Sequence, residues 1–471
     1  MSSFGGILSI ARMAINAHQT AIQVTSHNIA NAETPGYSRQ RAMLQENFPS
    51  RDPTAGWLGT GVLVTDVAQV RNTLLDGSFR RESSAASGFG LHRDLLERVE
   101  GIFREPTDDG LSATLDKFWN AWSDLANAPL NDTTRSVVRQ RGQQVATALN
   151  GYSSRLDDVV TDTSLRLDSS VRQLNEYSRQ VAELNRQIVA GEAGGATAGD
   201  LRDARNRVLD QMAVLLPIDA VPRADGSIAV TLNGQSLVDG AHHKPLVASG
   251  SLTDPKIGFG GNGDPLRITG GEIGAMLQVL STDVPEARLR LDELAAGIAD
   301  AVNDIHRTGW SPATEPGPPP APDDWAGSQV DFFHADGPVT AASIRLSDAV
   351  LGNEETIAAG SVFGGGADNS VALQLASLRE AGVIGGPPAI SLNSHFRDTV
   401  TGVAMKASSA GSSASVHETM SAQADIRRQS VSGVSTDEEL VALMKHQQAY
   451  VAATRLVSTV DEMMQALLQM V

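Results

Sequence analysis

The chain has 471 residues, a formal net charge of −18 and no cysteine. This acidity argues against nucleic-acid backbones and anionic membranes as main partners, and the missing cysteine excludes disulfides and thiolate metal sites. No apolar run reaches the roughly 18 residues that a membrane-spanning helix needs, and the length suggests roughly two to four domains.

The first predicted element is a helix over residues 3–30. Residues 1–32 carry a single charged side chain, Arg12, and apolar residues recur there at every seventh position: Leu8, Ile15, Ile22 and Ile29. The helix should end before Pro35, because a proline disfavours helical backbone at the preceding residue. Pro35-Gly36 fits the centre of a type II turn.

The central part of the chain alternates extended and helical patterns. Extended or strand-like segments are predicted at 37–70, 218–268 and 330–366. Helices are predicted at 72–106, 111–126, 133–190, 200–216, 273–280, 285–305, 369–381 and 392–430. Gly142 and Gly151 are the positions at which the longest helix could bend or break. Asp225-Gly226 and Asn233-Gly234 are hairpin signals, and the proline-rich run 315–322 reads as a stiff linker or surface loop.

The last predicted helix opens at Ser435, with Glu438 three residues later as a capping box. Its spacings of three and four are typical of a coiled-coil seam, which comprises Leu440, Leu443, Gln447, Tyr450, Thr454, Val457, Asp461, Met464, Leu468 and Val471. Such a stripe most often packs inside the chain's own core. The near absence of charge on any face of residues 1–32 favours packing between subunits instead.

These patterns predict a mainly α, elongated, multi-domain chain with an inserted β-rich domain. The terminal helices, in 1–45 and 431–471, should pair as a coiled coil. A long-helix bundle domain should comprise 46–217 and 369–430, joined by helices within 271–306. The β-rich insert should occupy 218–368.

Candidate chemical sites are weak. Gly258–Gly263 matches G-x-G-x-x-G, but Pro255 precedes it and no helix is predicted to follow directly, so a glycine-rich β turn is favoured over a dinucleotide site. Asp239, His242 and His243 are favoured as a solvated loop over a metal site. We predict no catalytic residues, no bound cofactor and no metal, and hence no enzymatic activity.

Several motifs resemble those of bacterial flagellar axial proteins. Residues 26–40, Ser-His-Asn-Ile-Ala-Asn-Ala-Glu-Thr-Pro-Gly-Tyr-Ser-Arg-Gln, are similar to the N-terminal signature of that family. Residues 433–439, 446–450 and 458–463 are similar to its C-terminal helix. The Thr-Pro-Gly-Tyr form, together with long helices in 72–216, is most similar to the first of the proteins that join the hook to the filament.

The resemblance implies a structural adaptor between hook and filament that is needed for filament assembly. Copies would form a homo-oligomer in the axial tube, with paired terminal helices inside, the helical domain around them and the β-rich domain outermost. The signature turn, which comprises Asn28, Asn31, Thr34, Pro35, Gly36 and Tyr37, would fix how the chain leaves the inner helix. Assembly residues would be Leu8, Ile15, Ile22, Ile29, Leu440, Leu443, Gln447, Tyr450, Val457, Met464 and Leu468.

The resemblance also implies partners and a route. The hook protein and the second junction protein would be neighbours, and a cytoplasmic chaperone would cover the C-terminal helix before export. No cleaved signal peptide is predicted, which agrees with type III export to the extracellular flagellum; nucleic acids and membranes are not expected partners. The alternatives are a second junction protein, a hook protein, an axial protein with a cell-wall hydrolase in 218–368, or a cytoplasmic coiled-coil signalling protein.

Overall fold

The structure is a computed structural model, and it describes residues 2–52, 56–103, 110–260, 265–313, 327–363, 367–386 and 388–469. This part of the chain is elongated and mostly helical, with several small antiparallel sheets. The proline-rich run 315–322 and the glycines at 364–366 lie outside the described residues.

The helices are α1 (Ser2–Ala30), α2 (Thr73–Phe103), α3 (Leu111–Asn127), α4 (Asp132–Glu192), α5 (Gly199–Leu215), α6 (Gly271–Gln278), α7 (Val284–His306), α8 (Asp348–Gly352), α9 (Ser370–Ser377), α10 (Leu392–Ser432) and α11 (Thr436–Gln469). The strands are β1 (Gln40–Glu46), β2 (Ser50–Asp52), β3 (Gly56–Leu58), β4 (Val62–Gln69), β5 (Asp219–Pro222), β6 (Ile228–Leu232), β7 (Gln235–Asp239), β8 (His242–His243), β9 (Leu246–Ser251), β10 (Asp254–Phe259), β11 (Phe333–His334), β12 (Arg345–Leu346), β13 (Gly382–Ile384) and β14 (Ile390–Ser391).

The longest helix, α4, supports the fold. Its 61 residues span about 90 Å at 1.5 Å per residue, and Asn131 caps its first turn by accepting a hydrogen bond from the Thr133 N–H at 2.8 Å. The helix continues past Gly142 and Gly151, so neither glycine interrupts it. Buried side chains of α4 share one hydrophobic core with α2, α3, α5, α7 and the sheet that follows α5.

That sheet has the strand order β5-β6-β7-β8, all antiparallel. Asn233 and Gly234 both have positive φ, +49° and +81°, as the predicted two-residue hairpin requires. The buried Asn185 of α4 holds the sheet in place, since its amide donates to the carbonyls of Ile228 and Gly240 and accepts from the N–H of Ile228. β9 and β10 form a separate hairpin.

The chain then returns to where it began. α10 runs along α2, and α11 packs against α1. β1 pairs with β4 between α1 and α2, and a second short pair, β2–β3, extends this hairpin. The helical predictions at 3–30, 111–126, 133–190, 200–216 and 392–430 are confirmed to within two residues at either end.

The structure refines one prediction of local structure and corrects another. The helices expected at 273–280 and 285–305 are confirmed as α6 and α7, and a π-helical turn at Val279–Asp283 joins them without a break. The hydrogen-bonding pattern changes next to Pro285, which has no N–H to donate. The strand-like prediction at 330–366 is confirmed only in part. In the described portion of this segment the strands are β11 and β12, Gly360 forms an isolated bridge with Trp310, and Ser347 caps the short helix α8 by accepting a hydrogen bond from the Val350 N–H.

The packing of Phe332 on α4 gives a testable prediction. A Cβ at Gly142 would lie 2.6 Å from Cε1 of the fully buried Phe332, so Gly142→Ala should lower the free energy of unfolding by about 1–3 kcal/mol. The matched control, Gly151→Ala, meets nothing within 4 Å and should raise it by about 0.5–1 kcal/mol, because alanine favours helix. Urea unfolding followed by circular dichroism compares them, and equal effects would contradict this packing.

Candidate assembly site at the chain termini

The two terminal helices pack side by side in opposite directions. Asn28, near the end of α1, donates to the carboxylate of Glu439, near the start of α11, over 2.9 Å. Ten residues earlier on α1, His18 faces His446 on α11, with 3.4 Å between their Nδ1 atoms. The ends of the chain, separated by more than 400 residues in sequence, therefore form one unit.

Small side chains line the seam on α1. The buried positions are Ala11, Ala17, Ala21, Thr25 and Asn28, and small residues let two helices approach closely. The predicted stripe residues are only half-buried beside this seam: Leu8, Ile15, Ile22 and Ile29. Ala11, His18 and Thr25, which also recur every seven residues, lie on the side of α1 that faces α11.

On α11 the seam is shifted by one residue from the predicted one. Its buried positions, Glu439, Ala453 and Val460, recur with His446 every seven residues. Of the predicted residues, Leu443, Tyr450 and Val457 are half-buried, whereas Leu440, Gln447, Met464 and Leu468 are exposed. Within one chain the predicted seam is therefore corrected, because alanine and valine rather than the larger side chains face α1.

Outside the buried seam positions, α11 carries many exposed apolar side chains. Leu440 is 47% exposed and Leu468 79% exposed, Met444 and Val451 lie on the side away from the seam, and further exposed apolar residues are Val441, Leu456, Met463 and Leu467. Exposed apolar surface of this extent usually marks a site that another molecule covers.

The signature turn is organised around Asn28, which is 1% exposed. Its amide nitrogen donates to Glu439 and to the Gln40 carbonyl at 2.8 Å. Its oxygen accepts from the Tyr37 hydroxyl at 2.8 Å and from the Gln40 N–H at 3.0 Å. The four hydrogen bonds use the full capacity of the side chain, and they join α1, the turn, β1 and α11.

The turn itself has the predicted geometry. The N–H of Tyr37 donates to the Thr34 carbonyl at 3.1 Å, and Gly36 has φ +74°, as a type II turn requires at its third residue. An ideal Cβ at Gly36 would lie 2.6 Å from Cγ of Arg207. Asn31 donates to the His27 carbonyl and accepts from the Thr34 hydroxyl, which extends α1 into the turn.

Charged groups next to the turn were not identified from the sequence. Arg39 pairs with Glu438 at 3.0 Å and with Glu439 at 2.7 Å. In the expected capping box, the Glu438 carboxylate would bond back to the N–H of Ser435, but here it pairs with Arg39. The other half of the box is present, since the Ser435 hydroxyl accepts a hydrogen bond from the N–H of Glu438. The motif that contains Arg39 was recognised in the sequence. The carboxylates that pair with Arg39 were not, because they lie 399 or more residues away along the chain.

A second charged network ties the turn to the helical region. Asp203 of α5 accepts from the Ser38 N–H at 2.9 Å and from its hydroxyl at 2.8 Å. Arg71 bridges Asp203 and Asp76 at 3.1 and 2.7 Å. Burial raises the pKa of Asp203 above its ordinary value despite these hydrogen bonds. Burial also raises the pKa of the Tyr37 hydroxyl, and the nearby carboxylates of Asp200, Asp203 and Glu439 raise it further.

The weaker candidates gain little support. Gly258 lies inside β10, where a dinucleotide site would need a strand-to-helix turn, and residues 261–264 lie outside the described ranges. Asp239 forms an ion pair with Arg223. Within the described ranges, no group of three or more His, Cys, Asp or Glu side chains is placed to hold a metal ion, and no helix is long and apolar enough to cross a membrane.

Comparison with known proteins identifies the family. Residues 96–319 match the model of the flagellar hook-associated protein FlgK helical domain. Residues 8–37 match the flagella basal body rod protein model, and residues 428–470 match the C-terminal model of the flagellar basal body rod FlgEFG proteins. The last two matches coincide with the paired terminal helices and the turn.

Full-length relatives agree with the family models. Flagellar hook-associated protein 1 of Bacillus subtilis strain 168 is 30% identical, over 98% of this chain and 97% of its own length. The protein of that name from Salmonella typhimurium strain LT2 is 24% identical, over 98% of this chain and 99% of its own. The structure of the flagellar hook junction protein FlgK from Burkholderia pseudomallei has the same fold, with a TM-score of 0.64 at 15% identity over 76% of this chain and 100% of that one.

These relatives decide between the first junction protein and the alternatives of a second junction protein or a hook protein. The family is one of structural proteins of the extracellular flagellum, whose members associate with other flagellar components. The chain belongs to the flagellar hook-associated protein 1 family and is a structural component of the hook–filament junction of the bacterial flagellum.

Proposed function

We propose that α1 and α11 together form the module by which copies of this chain assemble within the junction. The observation that carries the proposal is the exposed apolar side of α11, which contains Leu440, Met444 and Val451. α1 already covers the opposite side of α11, so these residues need a neighbouring copy to leave water. Their burial would contribute roughly 25 cal/mol for each Å² removed from solvent.

In this proposal the half-buried stripe on α1 takes part in the same packing. Ile15, Ile22 and Ile29 are only half-buried within one chain, so a neighbour that contacts α11 would also reach them. Leu443, Tyr450 and Val457 lie at the edge between the two surfaces. The seam within one chain and the packing between chains would then form a continuous coiled-coil layer.

The turn and its charged networks would set the angle between this module and the rest of the subunit. Asn28 fixes the start of β1 relative to both terminal helices, and Asp203 fixes Ser38 relative to α5. We infer three regions. The terminal pair comprises 1–45 and 431–471, the helical region comprises 46–217 and 369–430, and the outer region lies within 218–368. The helices α6 and α7, although they fall within 218–368 in sequence, join the helical region. The sheet of this outer region packs on α4.

The partners follow from position and chemistry. A subunit in this place would contact the hook protein on one side and the second junction protein on the other, within a homo-oligomer. Before type III export, a cytoplasmic chaperone would cover the apolar side of α11, because Leu467 and Leu468 would otherwise promote aggregation. We propose no catalytic role and no cofactor for the described residues.

The assembly surface can be tested with a pair of variants on α11. Leu440→Asp should block incorporation into the flagellum, because a carboxylate would be buried between copies, while the isolated subunit keeps its fold. The matched control, Gln144→Asp, places the same charge at an exposed polar position of α4, outside the terminal pair, and should support swimming. Soft-agar motility and electron microscopy of a complemented deletion strain measure both. Normal filaments with Leu440→Asp would refute the proposed surface.

The stability of the terminal pair gives a second test. Its buried apolar side chains are Ala11, Ala17, Ala21, Ala453 and Val460, which bury little area on their own. In the isolated subunit, backbone amides of α1 and α11 should therefore exchange with solvent much faster than those of α4. Hydrogen–deuterium exchange with mass spectrometry measures this, and protection of α1 equal to that of α4 would contradict it.

The role of Asn28 gives a third test. Asn28→Asp removes both amide donors and places a carboxylate against Glu439, at a cost of about 1–3 kcal/mol for each unsatisfied buried partner. We expect loss of motility, with export retained. Asn16→Asp makes the same change at an exposed position of α1 and should swim normally. Equal motility of the two variants would show that the network around Asn28 is dispensable.

A further inference from the structure

Two histidines from opposite ends of the chain meet on the seam between α1 and α11. The Nδ1 atoms of His18 and His446 lie 3.4 Å apart, and their ring centroids lie 5.6 Å apart. The two residues are separated by 428 positions in sequence, so no local motif reveals them. Both rings are half-buried, and neither one takes part in the networks around Asn28 and Asp203.

The distance between these nitrogens distinguishes two kinds of bridge. Hydrogen bonds donated by nitrogen are mostly about 2.9–3.0 Å long, so 3.4 Å is long for a direct bond. Two nitrogens that bind one tetrahedral Zn²⁺ at about 2.0–2.1 Å lie about 3.3–3.4 Å apart. The separation therefore matches the spacing of two imidazole ligands on one metal ion.

The surroundings keep both rings in the form that binds metals. Burial lowers the pKa of His18 below its ordinary value. Burial lowers that of His446 as well, with further contributions from His18 and from Lys445 on α11, while Glu439 acts in the opposite direction. A lower pKa favours the neutral imidazole, which offers a lone pair to a metal ion.

We propose that His18 and His446 form a binding site for a divalent metal ion of the zinc class, which clamps α1 to α11. Two imidazoles leave two tetrahedral positions for water, and no described group of three or more His, Cys, Asp or Glu side chains adds further ligands. The site is therefore exchangeable and differs from a closed structural cage. Because the seam buries mainly alanine, the binding free energy adds directly to the pairing of the helices.

The test uses the full chain with His242→Ala and His243→Ala as the parent, since these adjacent exposed histidines offer two imidazoles to a metal ion away from the seam. Co²⁺ binding is followed by visible absorption, and Zn²⁺ binding by competition. His18→Ala and His446→Ala should each weaken Co²⁺ binding by at least roughly tenfold to a hundredfold. That is the effect of losing a group that only hydrogen-bonds to a metal ligand, and loss of a ligand itself should cost no less. His334→Ala, a histidine of β11 outside the seam, should leave binding unchanged.

A second readout separates a clamp from binding on one helix alone. Zn²⁺ should slow amide exchange in both α1 and α11 of the parent, and His446→Ala should abolish this effect while α4 stays protected. Alanine favours helix, so loss of the effect would not arise from loss of either helix. Equal Co²⁺ affinity in the parent and in both seam variants would overturn the proposal, and so would binding that leaves the exchange of α1 and α11 unchanged.

Discussion

The buried side-chain amide of Asn28 is the interaction on which the terminal architecture depends. An asparagine offers two donors and an acceptor oxygen with two lone pairs, and here all of them are used, by Glu439, Tyr37 and both backbone groups of Gln40. Aspartate lacks the donors and alanine lacks every polar atom, so either residue would leave buried groups without partners. One side chain thereby fixes the end of the first helix, the exit of the chain and the start of the last helix.

The two parts of the molecule obtain their stability differently. The central core runs from Leu91 to Val403 and includes the fully buried rings of Trp119, Trp122 and Phe332. The terminal pair buries mainly alanine and relies on directional polar contacts. Burial of apolar area is the main favourable term in folding, so the central core contributes most of the stability within one chain, whereas under the proposed assembly the ends would gain theirs from neighbours. This division fits a subunit whose ends join the flagellar axis.

Long periodic segments were predictable from the sequence because helix period, caps and breakers agree there. The type II turn followed in the same way from Pro35-Gly36, and the hairpin from Asn233-Gly234. The contacts that position the site were not predictable, since Asp203 lies 165 residues from Ser38 and Glu439 lies 411 residues from Asn28. Within one chain the buried positions of α11 lie one residue before Leu440 and Gln447 of the predicted stripe, because close helix packing selects small side chains. The role of that stripe between subunits stays a prediction.

The link between the terminal pair and the helical region is built from charge-assisted hydrogen bonds rather than apolar packing. Ser38, Asp203, Arg71 and Asp76 form a nearly buried chain of donors and acceptors. Apolar contacts tolerate small rotations, but bidentate guanidinium–carboxylate bonds are short and directional. Their desolvation makes them weak as a source of net stability, as the raised pKa of Asp203 indicates. Such a network is better suited to specifying one angle, and a subunit that joins two different tubes needs a defined angle between its ends and its body.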